Sequence, residues 1–205
     1  MRALPSPPAS LPIEDYAAPT SPRSCAGVAR PGVKKLRDFV ISNLGGKSLG
    51  IVRSCAVRHA GKLSDHHEGR AWDWGLMASD PEDRARAQVF LDWLFSPDEA
   101  GNPDANARRI GLTYIIWDRK IWSTRGRQWR DYTGYSPHTD HIHMSLGWPG
   151  ARGQTSFYDW LEGGEPPEPV APPAEPRKKL VWVEPIAMAA GLFVGYLLLD
   201  WMLDL

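Results

Sequence analysis

Five of the six histidines stand in two short segments, SDHHEGRAWD at 64–73 and HTDHIH at 138–143. A lone histidine is ordinarily a satisfied core or surface residue. Two clusters that each carry aspartate demand more, because a fold that uses both must join positions about seventy residues apart. The second segment indicates how. His141–Leu146 (HIHMSL) alternates strictly, with His141, His143 and Ser145 on one face and Ile142, Met144 and Leu146 on the other, which is the period of a strand. Ala71–Gly75 (AWDWG) reads as a short strand in the same way, reached through a loop in which Gly69 and Ala71 let the chain turn tightly.

The rest of the domain reads as mixed helices and strands. Val33, Leu36, Val40 and Leu44 recur at helical spacing and Gly45-Gly46 stops them. Leu49–Arg53 reads as a strand. Asp80, Pro81, Glu82 and Asp83 form a helix start, with Ala85, Val89, Phe90, Trp93 and Leu94 as the expected buried stripe. Ala105–Ile110 reads as a short helix. Leu112–Trp117 and Lys120–Ser123 read as strands around an Asp118-Arg119 turn. Helices interspersed with antiparallel-type strands place the chain in the α+β class.

The histidine clusters point to a metal. Catalytic zinc takes three nitrogen or oxygen ligands and keeps one position open. His66, Asp73 and His143 supply such a His₂Asp set, and with no thiolate among them a hydrolytic zinc, one per chain, is favoured over a structural one. His141 lies two residues before His143 on the same face and can reach the reacting groups. Asp140 is a candidate general base, provided that its strand begins after it.

The pattern Ser64-x-His66-x-x-Gly69-x-Ala71-x-Asp73, followed by Asp140-His141-x-His143, resembles the peptidase M15 group. That group holds D-alanyl-D-alanine carboxypeptidases and L-alanyl-D-glutamate endopeptidases, and shares its fold with the Hedgehog signalling domain. More narrowly, GIVRSC, DHHEGRAWDWG, ANARRIGLTYIIWDRKIW, PHTDHIHMSL and TSFYDWL are similar to extensin-like domains of actinobacteria and their phages. The resemblance covers residues 23–162. It implies a single Hedgehog-type zinc domain with a central antiparallel sheet and flanking helices. It also implies His66, Asp73 and His143 as zinc ligands, Asp140 as base, and His141 in an acid/base or oxyanion role. Arg53, with Arg58 as its rival, Ser64 and His138 are the implied substrate contacts. The implied reaction is cleavage of amide bonds in peptidoglycan stem peptides, in wall remodelling or as a phage endolysin. The alternative is a zinc-containing wall-recognition or structural module without turnover, which the fold permits.

Composition bounds the remainder. Lys plus Arg and Asp plus Glu are 24 each, so no basic surplus favours nucleic acid as a partner. Six of the 19 prolines lie in residues 1–22 and six more in 166–176. Such stretches bury little, so 1–22 is expected to be a disordered tail and 163–179 a semi-rigid linker, leaving a domain of about 140 residues at 23–162. The ten Trp suggest a carbohydrate-facing surface as well as core, with Trp72, Trp122, Trp129 and Trp148 as exposed candidates. Cys25 and Cys55 form either one bridge or two free thiols.

The first residues lack the apolar stretch of a signal peptide. Residues 180–203 are apolar apart from Glu184 and Asp200, and as a helix would reach about 36 Å, enough to cross a bilayer. Ala187, Gly191 and Gly195 give that segment a small-residue face suited to a helix–helix dimer. Arg177, Lys178 and Lys179 before it put the domain on the cytoplasmic side until lysis by the positive-inside rule, whereas a Cys25–Cys55 bridge would suit the opposite orientation.

Overall fold

The computed structural model describes residues 3–58 and 61–163. Six strands, β1 (Lys47–Gly50), β2 (Ala71–Gly75), β3 (Leu112–Trp117), β4 (Lys120–Ser123), β5 (Trp129–Asp131) and β6 (His141–Leu146), form one antiparallel sheet in the order β1-β2-β6-β3-β4-β5. Five helices accompany it: α1 (Pro31–Leu44), α2 (Pro81–Phe95), α3 (Ala105–Arg109), α4 (Trp148–Arg152) and α5 (Ser156–Leu161). The class is α+β, as the pattern of elements implies. Most of the expected 163–179 linker, and all of the expected 180–203 span, lie outside the described residues. Among the described residues no helix is long and apolar enough to cross a membrane.

The alternation in β2 and β6 divides the sheet into two chemically different faces. Trp72, Trp74, Ile142 and Met144 are almost fully buried and join Leu36, Val40, Phe90, Leu94 and Phe157 in the core. Trp74 meets Phe90 edge-on at 5.5 Å between ring centroids, and its indole N–H donates to the Gly45 carbonyl at 3.1 Å. Burial of these large side chains, each contributing about 2–3 kcal/mol, pins the register of β2 against β6. Asp73 is thereby turned to the opposite face, directly across from His143.

Several elements fall where their residues predict. Asp80 caps α2, its carboxylate accepting from the Glu82 and Asp83 amides at 2.8 and 2.9 Å. The Asp118-Arg119 turn has positive φ at both residues (42° and 64°), the geometry a two-residue hairpin requires. Three details differ. Strand β1 covers Lys47–Gly50 rather than Leu49–Arg53: its register shifts between Ser48 and Gly50, where φ is 136°, and the chain leaves the sheet at Ile51. On α2, Ala87 is buried and Ala85 exposed, because the stripe runs through Ala87, Phe90 and Leu94. Of the four tryptophans expected at the surface, Trp72 and Trp122 belong to the core, and Trp129 is 40% exposed.

The larger difference is the N-terminal stretch. Residues 3–24 are not a loose tail but an extended arm laid on the domain. Leu4 and Leu11 are buried. Trp93 Nε1 donates to the Pro5 carbonyl at 3.0 Å, and Arg109 Nη2 donates to that of Leu11 at 3.3 Å. The Glu14 carboxylate accepts from the Ser156 amide (2.6 Å) and hydroxyl (2.9 Å) at the start of α5. Proline removes backbone donors but leaves every carbonyl free to accept. Donors from elsewhere in the chain hold the arm, and its prolines reduce the conformational entropy lost on ordering.

Candidate metal centre

The first ligand segment forms a single 3-10 turn, Asp65–Glu68. It is anchored by an interior charge network. The Arg70 guanidinium is fully buried and meets Asp65 at 2.7 Å and Glu68 at 2.7 Å. It also donates to the Leu146 carbonyl at 3.2 Å. Gly69 ends the turn with φ 69°, and a Cβ there would fall on the Val28 carbonyl oxygen, so only glycine fits. The His67 ring serves this local structure. Its Nδ1 accepts from the Ser64 amide at 2.9 Å, and its Nε2 donates to the Val57 carbonyl at 2.8 Å.

His66 points the other way, into a cluster with Asp73 of β2 and His143 of β6. His66 Nε2 lies 3.2 Å from Asp73 Oδ1 and 3.2 Å from His143 Nδ1, and His143 Nδ1 lies 2.8 Å from Asp73 Oδ1. All three candidate ligand atoms fall within 4.8 Å of one another, and the group can hold a metal ion. The outer partners support this. His66 Nδ1 is 2.9 Å from the Ile51 carbonyl, which can only accept, so Nδ1 carries a proton and Nε2 is the ring nitrogen turned inward. His143 Nε2 is 3.1 Å from the Ser145 hydroxyl and 3.3 Å from that of Tyr114, which leaves its Nδ1 to face Asp73. Tyr114 also stacks on the His143 ring at 5.4 Å.

The electrostatics agree with a cation site. Burial pushes the Asp73 carboxyl up, but hydrogen bonds from His143 and His66, and their charges, outweigh it and hold it well below the ordinary carboxylate range. Burial lowers the His143 pKa more than its bond to Asp73 raises it, which favours a neutral ring. Two imidazole nitrogens and one anionic oxygen, with lone pairs converging at about 3 Å, need a proton or a cation between them. This donor set suits borderline metals such as zinc.

The remaining expected site residues fall into distinct places. Strand β6 begins at His141, so Asp140 stands just outside it and meets the condition set by the alternation. Its carboxylate is exposed and lies 2.8 Å from His141 Nδ1, while His141 Nε2 lies 3.7 Å from Asp73 Oδ1. His141 therefore stands between Asp140 and the cluster. His138, with φ 52°, donates from Nδ1 to the Ser136 carbonyl at 2.7 Å, and its ring lies 4.7 Å from that of His141. Burial and the neighbouring His143 and His141 push its pKa down to about 4, so it is neutral at physiological pH. The Arg53 amide donates to the His66 carbonyl at 3.3 Å, which places Arg53 beside the turn. Arg58 is exposed and donates to the Cys55 carbonyl at 3.5 Å. The Ser64 hydroxyl is 3.0 Å from His67 Nδ1, a role in the turn rather than in the cluster.

Tyr114 and the Ile51 carbonyl are the outer partners that the motif does not reveal. Cys25 and Cys55 form a disulfide with Cα atoms 5.8 Å apart. A family model described as VldE, C-terminal domain, matches residues 25–143, from that disulfide to the third candidate ligand and over more than half of the chain. No curated protein and no solved structure matches.

Proposed function

We propose the following function for this chain, which belongs to the family of VldE C-terminal domains: a zinc-dependent hydrolase of the M15 type that cleaves amide bonds in peptidoglycan stem peptides. The observation that carries the reading is the convergence of His66 Nε2, Asp73 Oδ1 and His143 Nδ1, with a fourth titratable group, His141 Nε2, 3.7 Å from the aspartate. A structural site would close the metal with a fourth ligand; here a histidine paired with a carboxylate stands beside three ligands instead.

Zinc in this cluster would supply Lewis-acid polarisation of the scissile carbonyl and acidify a water molecule. The chain's own residues do the rest. The outer hydrogen bonds of His66 and His143 orient their inward nitrogens, and Asp73 contributes the negative charge. His141 Nε2 takes a proton from the attacking water and delivers it to the leaving amine. Asp140 holds Nδ1 of the same ring, fixing its orientation and stabilising its charged form. This moves the base from Asp140, which the sequence puts first, to His141, whose Nε2 lies 3.7 Å from Asp73 Oδ1. Arg53 is the proposed contact for the substrate's carboxylate or developing oxyanion.

Digestion of purified peptidoglycan, followed by mass spectrometry of the soluble products, tests the reading. Stem peptides with new amino termini or shortened carboxyl ends are the expected result. Products with new reducing ends and intact peptides would replace the reading with a glycosidase. Intact wall material with protein bound to it would favour the recognition module.

A further inference from the structure

The disulfide and the metal ligands belong to one closed circuit. The loop that follows β1 gives three backbone groups to the ligand turn: the Ile51 carbonyl to His66 Nδ1 (2.9 Å), the Arg53 amide to the His66 carbonyl (3.3 Å), and the Val57 carbonyl to His67 Nε2 (2.8 Å). Cys55 lies within this loop. Its partner, Cys25, begins a segment that is itself fixed to the same turn, with the Ala26 amide donating to the His67 carbonyl at 2.8 Å and the Arg30 amide to that of Gly69 at 3.0 Å. The loop is thus held from below by hydrogen bonds and from its outer end by one covalent link. Ile51 itself is buried in the core, and the described loop beyond it lies mostly open to solvent. Val52 and Val57 are 39% and 49% exposed, and residues 54–58 are all exposed. A segment with few buried contacts and solvent-accessible hydrogen bonds opens at low cost.

We propose that the Cys25–Cys55 disulfide is a redox-sensitive brace of the metal centre, acting through the Ile51 carbonyl to keep His66 in its metal-binding tautomer and orientation. The inference rests on the reading of His66, Asp73 and His143 as metal ligands. An external dithiol transfers two electrons and two protons, the S–S bond breaks into two thiols, and the reductant closes its own disulfide. Cys55 is exposed and Cys25 half-buried, so the bond is open to such exchange. Released from Cys25, residues 52–58 can lift from the turn, and the Ile51 carbonyl loses the fixed loop that keeps it aligned with His66 Nδ1. Loss of such an outer partner weakens metal binding by about 10- to 100-fold.

The test is zinc affinity of the full-length chain, measured by competition with a chromophoric chelator, in the oxidised state, after dithiol reduction and thiol alkylation, and after reoxidation without alkylation. A Cys25→Ser/Cys55→Ser variant repeats the measurement without thiols that could themselves bind zinc. Near-UV circular dichroism follows the buried tryptophans in every arm. The expected result is a dissociation constant at least about 10-fold higher in the alkylated protein and in the variant, restored in the reoxidised protein, with the tryptophan spectrum unchanged. Equal affinities with confirmed alkylation would overturn the brace while leaving the metal site intact. Loss of the tryptophan signal in both the alkylated protein and the variant would also overturn it, showing a cross-link needed by the whole fold. An oxidised chain that binds no zinc would instead remove the metal reading on which the inference rests.

Discussion

Asp73 and His143 face each other across the β2–β6 pair, with Asp73 Oδ1 2.8 Å from His143 Nδ1. The register that makes them partners is enforced from the other face, where Trp72 and Trp74 of β2 and Ile142 and Met144 of β6 are buried. A slip of β2 by one residue would send Asp73 into the core and the indoles into water. The geometry of the site is therefore stabilised by hydrophobic burial on the face that does no chemistry.

Zinc content provides the first check on this arrangement. The wild-type chain should bind one zinc, and His66→Ala, Asp73→Ala and His143→Ala should each reduce the content to near zero by elemental analysis after dialysis. Full occupancy in His143→Ala would show that the ion is held elsewhere.

Proton transfer separates His141 from Asp140. His141→Ala should retain zinc and lose amide hydrolysis by about 10²-fold or more, the usual scale for a missing general base. Asp140→Asn should retain zinc and lose less, since the imidazole remains beside the cluster. Steady-state rates on a stem-peptide substrate make the comparison. An inactive Asp140→Asn beside a fully active His141→Ala would return the base to Asp140.

How much of this was legible in the sequence follows from what each group touches. The ligand types and the alternation of HIHMSL are local, so His66, Asp73 and His143 could be read directly. Asp140 and His141 can both be named from the sequence, which puts Asp140 first as base; that His141 is the one turned towards Asp73 depends on geometry the motif does not carry. The Ile51 carbonyl left no signature, since every residue carries one. Tyr114 became a partner of His143 only through the pairing of β3 with β6. Proline content reports local stiffness, so residues 1–22 read as a tail, whereas the donors that order the arm, Trp93 and Arg109, lie about ninety residues away.

The arm's contribution to stability is open to measurement. Leu11→Ala should lower unfolding free energy by about 2 kcal/mol or more, the scale for a buried leucine. Removal of residues 1–15 should lower the melting temperature further, since it also strips the Glu14 carboxylate from α5. Chemical and thermal denaturation would show both effects. No change in either protein would mean that the arm adds nothing to the fold.

Acid should act on the turn that carries His66. Burial alone would raise the Glu68 pKa, but the Arg23 and Ser24 amides and the Arg70 guanidinium outweigh it and lower it from the usual 4.5. A carboxyl with a depressed folded pKa contributes stability that is fully present above its unfolded value and is lost as pH falls through the folded value. Stability should therefore decline below about pH 4.5 in the wild type. Glu68→Gln should be weaker at neutral pH, by about 3 kcal/mol for a broken interior ion pair, with a shallower acid dependence. Urea titrations between pH 3 and 7 decide the matter, and identical acid slopes would contradict the assignment.

The most direct test of a metal-dependent hydrolase is a zinc titration of the chelator-stripped protein, reading new amino groups released from purified peptidoglycan. Release should be absent without metal, rise linearly with added zinc and level off at one equivalent per chain. Undiminished release from the stripped protein, or none from a chain shown to hold one zinc at His66, Asp73 and His143, would contradict the account.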